Sequence, residues 1–155
     1  MRSTRVAQSL CVVLAAASLA CSGSRGHDLQ EGQYAFTELE VLQDPCGLLP
    51  ASGLWDGVMV RSGDYVRIDY QLLELGLIGY YLYSAEEFYA DGTAEEVTVP
   101  LASGGSCQVD QLAVHLTAIT RSPTQFEGAL TVRTYARADN ACECELSVTY
   151  RADRQ

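Results

Sequence analysis

Lysine is missing from this sequence. All ten basic residues are arginine, and twenty aspartates and glutamates give the chain a formal net charge of −10 at pH 7. Nucleic-acid binding depends on basic side chains that displace counterions from phosphates, and anionic lipid headgroups likewise recruit basic clusters. We therefore expect no nucleic-acid partner and no simple electrostatic docking on a membrane.

The chain also lacks common catalytic and nucleotide-binding motifs. It contains no G-x-S-x-G, H-E-x-x-H or P-loop pattern. Histidine occurs only at His27 and His115, and we interpret both as solvent-facing. A Ser-His-Asp arrangement would have to use His115 as its base. We therefore expect neither an enzyme nor a cofactor or metal site, and keep catalysis by His115 with carboxylates as a third hypothesis.

A long uncharged stretch occurs at the amino terminus. Arg2 and Arg5 precede an apolar run, which is densest from Leu10 to Ala17 and is followed by Ser18-Leu19-Ala20-Cys21. This order of basic, apolar and small residues is typical of a signal peptide.

The Ser18-Leu19-Ala20-Cys21 tetrapeptide resembles the lipobox of bacterial lipoproteins, with Ala20 before the cleavage site and Cys21 after it. The resemblance implies that residues 1–20 are removed and that Cys21 receives a lipid, which would anchor the protein to a membrane. Loss of two arginines with this segment would change the net charge from −10 to −12. Ser22 directly follows Cys21 and resembles the residue at that position in lipoproteins that are sorted to the outer membrane of Gram-negative bacteria.

The remaining chain divides into a tether and one domain. Residues 21–32 are small and polar without an apolar period, which predicts a flexible, lipidated tether. Residues 33–155 show recurrent period-two alternation, clearest where Val66, Ile68, Tyr70 and Leu72 share one face. Similar alternating runs extend from Phe126 to Val132 and from Leu146 to Tyr150.

Turn formers such as Ser62-Gly63-Asp64 and Asp91-Gly92 separate these runs. The pattern predicts an all-β domain: a single small antiparallel β-sandwich or barrel of about eight strands. Gly128 falls on an inward strand face, where the missing side chain permits a bend or a close backbone approach.

Four cysteines follow the predicted anchor: Cys46, Cys107, Cys142 and Cys144. An even number in an exported domain favours disulfides over a zinc site. Cys142 and Cys144 would point to the same side of a strand, which disfavours a bridge between them. Cys46 and Cys107 should therefore each pair with one of the two.

Several groups of residues are candidates for binding. The aromatic residues that could form a ligand or partner surface are Trp55, Tyr80, Tyr81, Tyr83 and Tyr89. Glu38 and Glu40 would share one strand face, as would Glu143 and Glu145. Acidic residues between Glu86 and Glu96 predict a solvated loop, with calcium binding as the weaker alternative.

Gly53-Leu54-Trp55 resembles the G-x-W motif of lipocalins, which are ligand-carrying eight-stranded barrels. The leading hypothesis is a non-enzymatic, membrane-anchored envelope lipoprotein that acts as a binding or structural module. Its partner would be an envelope protein, a glycan or a small ligand. The alternative is a lipocalin-like carrier of a small apolar ligand.

Overall fold

A computed structural model of the chain describes residues 28–82, 86–137 and 140–155. Within these residues, eight antiparallel strands form a closed barrel in which each strand pairs with its neighbours in sequence and β1 also pairs with β8. The strands are β1 (Gly32–Gln43), β2 (Gly57–Ser62), β3 (Tyr65–Tyr70), β4 (Leu75–Tyr81), β5 (Glu87–Pro100), β6 (Ser106–Ser122), β7 (Gln125–Tyr135) and β8 (Cys144–Arg154). The predicted all-β class is confirmed, and the architecture is a barrel.

The helical content of the described residues is two short 3₁₀ turns, Leu72–Glu74 and Asn140–Cys142. Neither is long and apolar enough to cross a bilayer as a helix.

Period-two alternation predicted the inward faces of three strands correctly. Ile68 on β3, Leu130 on β7 and Val148 on β8 are buried. The residues two positions before and after each of them are buried as well, except for Gly128, which is half-buried. Because side chains of a strand alternate between its faces, the intervening residues lie on the outside. The hydrophobic pattern therefore fixes which side of each strand faces the core.

The fifth strand differs from the prediction. Asp91 and Gly92 were expected to form a turn and the acidic residues around them a loop, but β5 runs without interruption from Glu87 to Pro100. It pairs with β6 from Glu87, opposite Ile119, to Pro100, opposite Ser106. This long ladder outweighs the poor strand propensity of Asp and Gly.

Aromatic rings fill the middle of the barrel. Phe36 lies 5.3 Å from Tyr70, 5.6 Å from Phe126 and 5.1 Å from Tyr150, measured between ring centroids. Phe88 lies 5.3 Å from Phe126. These rings come from β1, β3, β5, β7 and β8, so they pack across the barrel and not along one wall. Burial of each phenylalanine ring contributes about 1.5–3 kcal/mol.

Gly128 permits close approach of β6 and β7, as its position in the sequence predicted. A Cβ atom on Gly128 would lie 1.8 Å from the carbonyl oxygen of Thr117. The same oxygen accepts a hydrogen bond of 3.0 Å from the hydroxyl of Tyr150 inside the barrel. Glycine is therefore required here for steric reasons.

One end of the barrel is covered by the connection between β1 and β2, residues 44–56. The backbone NH of Ala102 donates to the carbonyl of Gly47, which ties this connection to the β5–β6 turn. The Asp44 carboxylate accepts hydrogen bonds from the backbone NH groups of Leu48 and Leu49, and Leu48 is buried. The connection is thus an ordered cover over the core.

Two disulfides fasten this covered end. Cys46 in the β1–β2 connection bonds Cys144 at the start of β8, and Cys107 on β6 bonds Cys142. The expectation that Cys142 and Cys144 each pair with an earlier cysteine is confirmed. We call this end the disulfide end.

The first described residues lie at the opposite end. The backbone NH of Gln30 donates to the carbonyl of Pro123 in the β6–β7 turn, and Leu29 is buried. Arg61 at the end of β2 forms an ion pair with Asp28 at 3.3 Å. The chain therefore enters the barrel at the end that carries the short β2–β3 and β6–β7 turns, which we call the turn end.

Candidate functional site

Three tyrosines lie side by side on the outer wall of the barrel. Tyr80 on β4 is directly opposite both Tyr65 on β3 and Tyr89 on β5. Tyr80 is half exposed, whereas Tyr65 and Tyr89 are partly buried. Their chain neighbours Tyr81 and Phe88 are buried in the core. Strand register thus brings together three rings that are distant in sequence.

Apolar side chains extend this row. Ile78 and Leu82 lie on either side of Tyr80 along the chain, and Ile119 on β6 is opposite Glu87; all three are substantially exposed. We define the tyrosine surface as Tyr65, Ile78, Tyr80, Leu82, Tyr89 and Ile119. A hollow of about 280 Å³ borders it, lined in part by Leu82, Tyr89, Thr117, Ile119 and Gly128.

Tyr80 and Tyr89 were among the aromatic residues that the sequence suggested for a binding surface. Tyr81 lies inside instead, 5.1 Å from Phe88 between ring centroids, and burial raises the pKa of its phenol. Tyr83 lies outside the described residues.

Trp55, from the Gly53-Leu54-Trp55 motif, lies in the β1–β2 connection and not on the outer wall. Its ring is partly buried, and its centroid is 6.0 Å from that of Tyr70. Tyr65 was not among the suggested residues, although the alternation of β3 placed it on the outer face. The missing information was the register between β3 and β4.

His115 meets a carboxylate on the same wall. It lies on β6, directly opposite Asp91 on β5 and Thr131 on β7. The His115 Nδ1 atom is 2.5 Å from Asp91 Oδ1, and each of these two side chains is about half exposed. The pair belongs to a hollow of about 230 Å³, the His115 hollow, whose lining includes Asp91, Thr93, His115, Thr131, Arg133 and Tyr135.

Arg133 is held in place at one side of this hollow. Its guanidinium forms an ion pair with Glu145 on β8, and Glu145, with a smaller effect of Tyr135, raises the pKa of Arg133. Arg133 and Tyr135 also line a neighbouring hollow of about 370 Å³ that extends to Gln43 and Glu145. The two hollows therefore share one wall.

No known protein family, curated protein or solved structure matches this chain. Its own surface chemistry is therefore the basis for assigning a function. Within residues 28–82, 86–137 and 140–155, no three His, Cys, Asp or Glu side chains lie together in a way that could hold a metal ion.

The order Asp91, His115, Thr131 resembles the order of carboxylate, imidazole and hydroxyl in a hydrolase triad. Such chemistry also needs a hydroxyl bonded to the imidazole and free NH donors for an oxyanion. In the described part of the chain, His115 makes no hydrogen bond to Thr131, and the β6 and β7 backbones pair with each other. The contact between hydroxyl and imidazole that a triad needs is therefore not formed among the described residues.

The expected pairing of Glu38 and Glu40 on one strand face is wrong. Glu38 is opposite Tyr150, which faces the core, whereas Glu40 is opposite Thr149, which does not. A β-bulge at Leu39 accounts for the change, because one extra residue shifts the alternation of a strand. Glu145, from the other suggested pair, binds Arg133.

The predicted cleavage and lipidation residues, Ala20 and Cys21, lie outside the described residues, as does His27.

Proposed function

We propose that this protein is a cell-envelope lipoprotein, anchored through Cys21, whose barrel is a non-enzymatic binding module that contacts a partner protein through the tyrosine surface. The observation that carries the proposal is the outward-facing row of Tyr65, half-exposed Tyr80 and Tyr89, on a barrel whose middle is packed with aromatic rings.

The filled interior argues against the carrier alternative. Pockets for drug-sized ligands measure about 300–1,000 Å³. The ring centroids of Tyr70 and Phe126 lie 5.3 Å and 5.6 Å from that of Phe36, and these rings occupy space that a carried ligand would need. An eight-stranded barrel is just wide enough for side chains to fill it, and large aromatic residues do so here.

The tyrosine surface has the composition of an interface centre. Tyrosine supplies a large contact area at a low cost in conformational entropy, and aromatic residues are enriched among those that dominate binding energy. The Tyr65 and Tyr80 rings contact each other edge to face, with centroids 5.9 Å apart. This packing restrains both side chains before a partner arrives, which reduces the entropic cost of binding.

The amino-terminal sequence supports the anchor. Basic residues, an apolar run and Ala20-Cys21 follow one another in the order of a lipoprotein signal. The seven-residue interval from Cys21 to Asp28 would span at most about 25 Å. Because Asp28 lies at the turn end, such a tether would hold that end nearest the bilayer.

Metabolic labelling tests the anchor. The full chain is expressed in a Gram-negative bacterium with radiolabelled palmitate. We expect label in the wild type and in Cys11→Ala, since Cys11 lies in the apolar run before the predicted cleavage site, but not in Cys21→Ala. Labelling that persists in Cys21→Ala would refute the anchor assignment.

Photo-crosslinking tests the contact surface. A photoreactive amino acid is placed at Tyr80 or, as a control on an exposed part of β5, at Thr98. In native envelopes we expect a discrete crosslinked species from position 80 only, which is lost when Tyr89→Ser is added. Equal crosslinking from both positions, or no effect of Tyr89→Ser, would remove the tyrosine surface from the proposal.

A further inference from the structure

The His115 hollow adjoins the tyrosine surface where Asp91 is opposite Ile78, but no residue of that surface belongs to its lining. It lies further along β5, β6 and β7 toward the disulfide end, and continues past Arg133 and Tyr135 into the neighbouring hollow. A ligand in this hollow would therefore require neither the lipid anchor nor the tyrosine surface.

Polar groups in the His115 hollow are held in place by one another. Asp91 fixes the imidazole of His115 through the 2.5 Å contact between Oδ1 and Nδ1, so that the second ring nitrogen is left for a ligand. Glu145 fixes the guanidinium of Arg133. Donors and acceptors that are restrained before binding lose little entropy when a ligand arrives.

Both charged groups of this cluster, Asp91 and Arg133, already have a partner side chain. Arg133 is compensated by Glu145, and Asp91 has His115 beside it. An anionic ligand would have to compete with these carboxylates on a chain of net charge −10, and a cation would meet the guanidinium. A neutral ligand with many hydroxyls can donate to Asp91 and accept from Arg133 without breaking either pair.

We propose that the His115 hollow binds one neutral sugar residue. Its hydroxyls would bond Asp91, His115 and Thr131, and its apolar face would lie against the exposed ring of Tyr135. The hollow of about 230 Å³ is smaller than a drug-sized pocket and suits a single sugar ring. The adjoining hollow of about 370 Å³ is in position for the next residue of a glycan.

Nuclear magnetic resonance of the full chain in detergent tests this proposal. The probes are D-glucose and N-acetyl-D-glucosamine, and their β-1,4-linked dimers cellobiose and diacetylchitobiose. We expect saturable shifts at His115, Thr131 and Tyr135 with at least one probe. Tighter binding of a dimer than of its monomer assigns the site to a glycan, and equal binding assigns it to the free sugar.

Two variants are compared with a matched control. Asp91→Asn and Thr131→Val should each weaken sugar binding about tenfold, which corresponds to about 1.4 kcal/mol. Thr149→Val makes the same change on the neighbouring strand β8, outside both hollows, and should leave binding unchanged. Thr131→Val preserves side-chain shape, so it remains decisive if Asp91→Asn fails to fold.

Three results would overturn the proposal: no saturable shift with any of the four sugars, equal binding by wild type and Thr131→Val, or displacement of the sugar by millimolar acetate. The labelling and crosslinking tests do not depend on sugar binding. Failure of the sugar proposal therefore leaves the proposed function intact, and failure of the proposed function leaves the sugar proposal intact.

Discussion

Replacement of Gly128 by alanine should strongly destabilise the barrel. The new Cβ would lie 1.8 Å from the carbonyl oxygen of Thr117 and 2.9 Å from the Cα of Ala118, whereas ordinary contacts begin near 3.4 Å. Both atoms belong to the β6 backbone, so no side-chain rotation relieves the clash. The strands must separate by more than an ångström at this point.

Two costs add to the effect. Overpacking of a well-packed core costs about 1–3 kcal/mol. Separation of β6 from β7 also strains or breaks the hydrogen bond from Tyr150 to Thr117, and a buried polar group left without its partner costs about 1–3 kcal/mol. We therefore expect Gly128→Ala to lower the free energy of unfolding by about 2–6 kcal/mol, a large part of the usual total.

Urea denaturation followed by the fluorescence of Trp55, the single tryptophan, measures this loss. Gly105→Ala is the matched control, because its Cβ would meet no atom closer than 3.9 Å, and its stability should change by less than about 1 kcal/mol. Tyr150→Phe removes the hydroxyl without a clash and should cost about 1–2 kcal/mol. A loss below about 1 kcal/mol for Gly128→Ala, or an equal loss for Gly105→Ala, would refute the steric explanation.

Further predictions concern bridges and titrating groups. Combined Cys46→Ala and Cys144→Ala opens a bridge with a sequence separation of 98 and should cost about 2–5 kcal/mol; an unchanged urea midpoint would contradict this. Hydrogen bonding to Arg151 lowers the pKa of Glu127, so its stabilisation is present above the ordinary pKa of about 4.3 and is lost as pH falls through the folded value. The stability difference between wild type and Glu127→Gln should therefore shrink from pH 6 to pH 3, and a constant difference would show that ionisation is irrelevant. Burial raises the pKa of Tyr34 to about 12, so the wild type should lose stability above about pH 10; Tyr34→Phe should lose less, and parallel alkaline profiles would contradict the assignment.

Much of the barrel was predictable because its strands have local signals. Alternation identified the inward faces of β3, β7 and β8, and Gly128 indicated a close backbone approach. The inferences about strand faces need only residues within one strand. The two bridges also pair Cys142 and Cys144 with earlier cysteines as predicted, although Cys142 lies in a 3₁₀ turn and not on the strand that the prediction assumed. Closure of the sheet required the long-range pairing of β1 with β8, and no local pattern could supply it.

The binding surfaces depended on register, which is a non-local property. The sequence predicted a solvent-facing His115 and named Tyr80 as a surface candidate. The residues opposite them, Asp91 and Tyr65, depend on the register between strands, which is set by the connections and by core packing. The bulge at Leu39 shows how sensitive this is: one unpaired residue is enough to put Glu38 and Glu40 on opposite faces. A comparable bulge between Glu87 and Tyr89 would separate Asp91 from His115 and Tyr89 from Tyr80. The uninterrupted ladder from Glu87 to Glu95 is therefore the structural condition for both proposed sites.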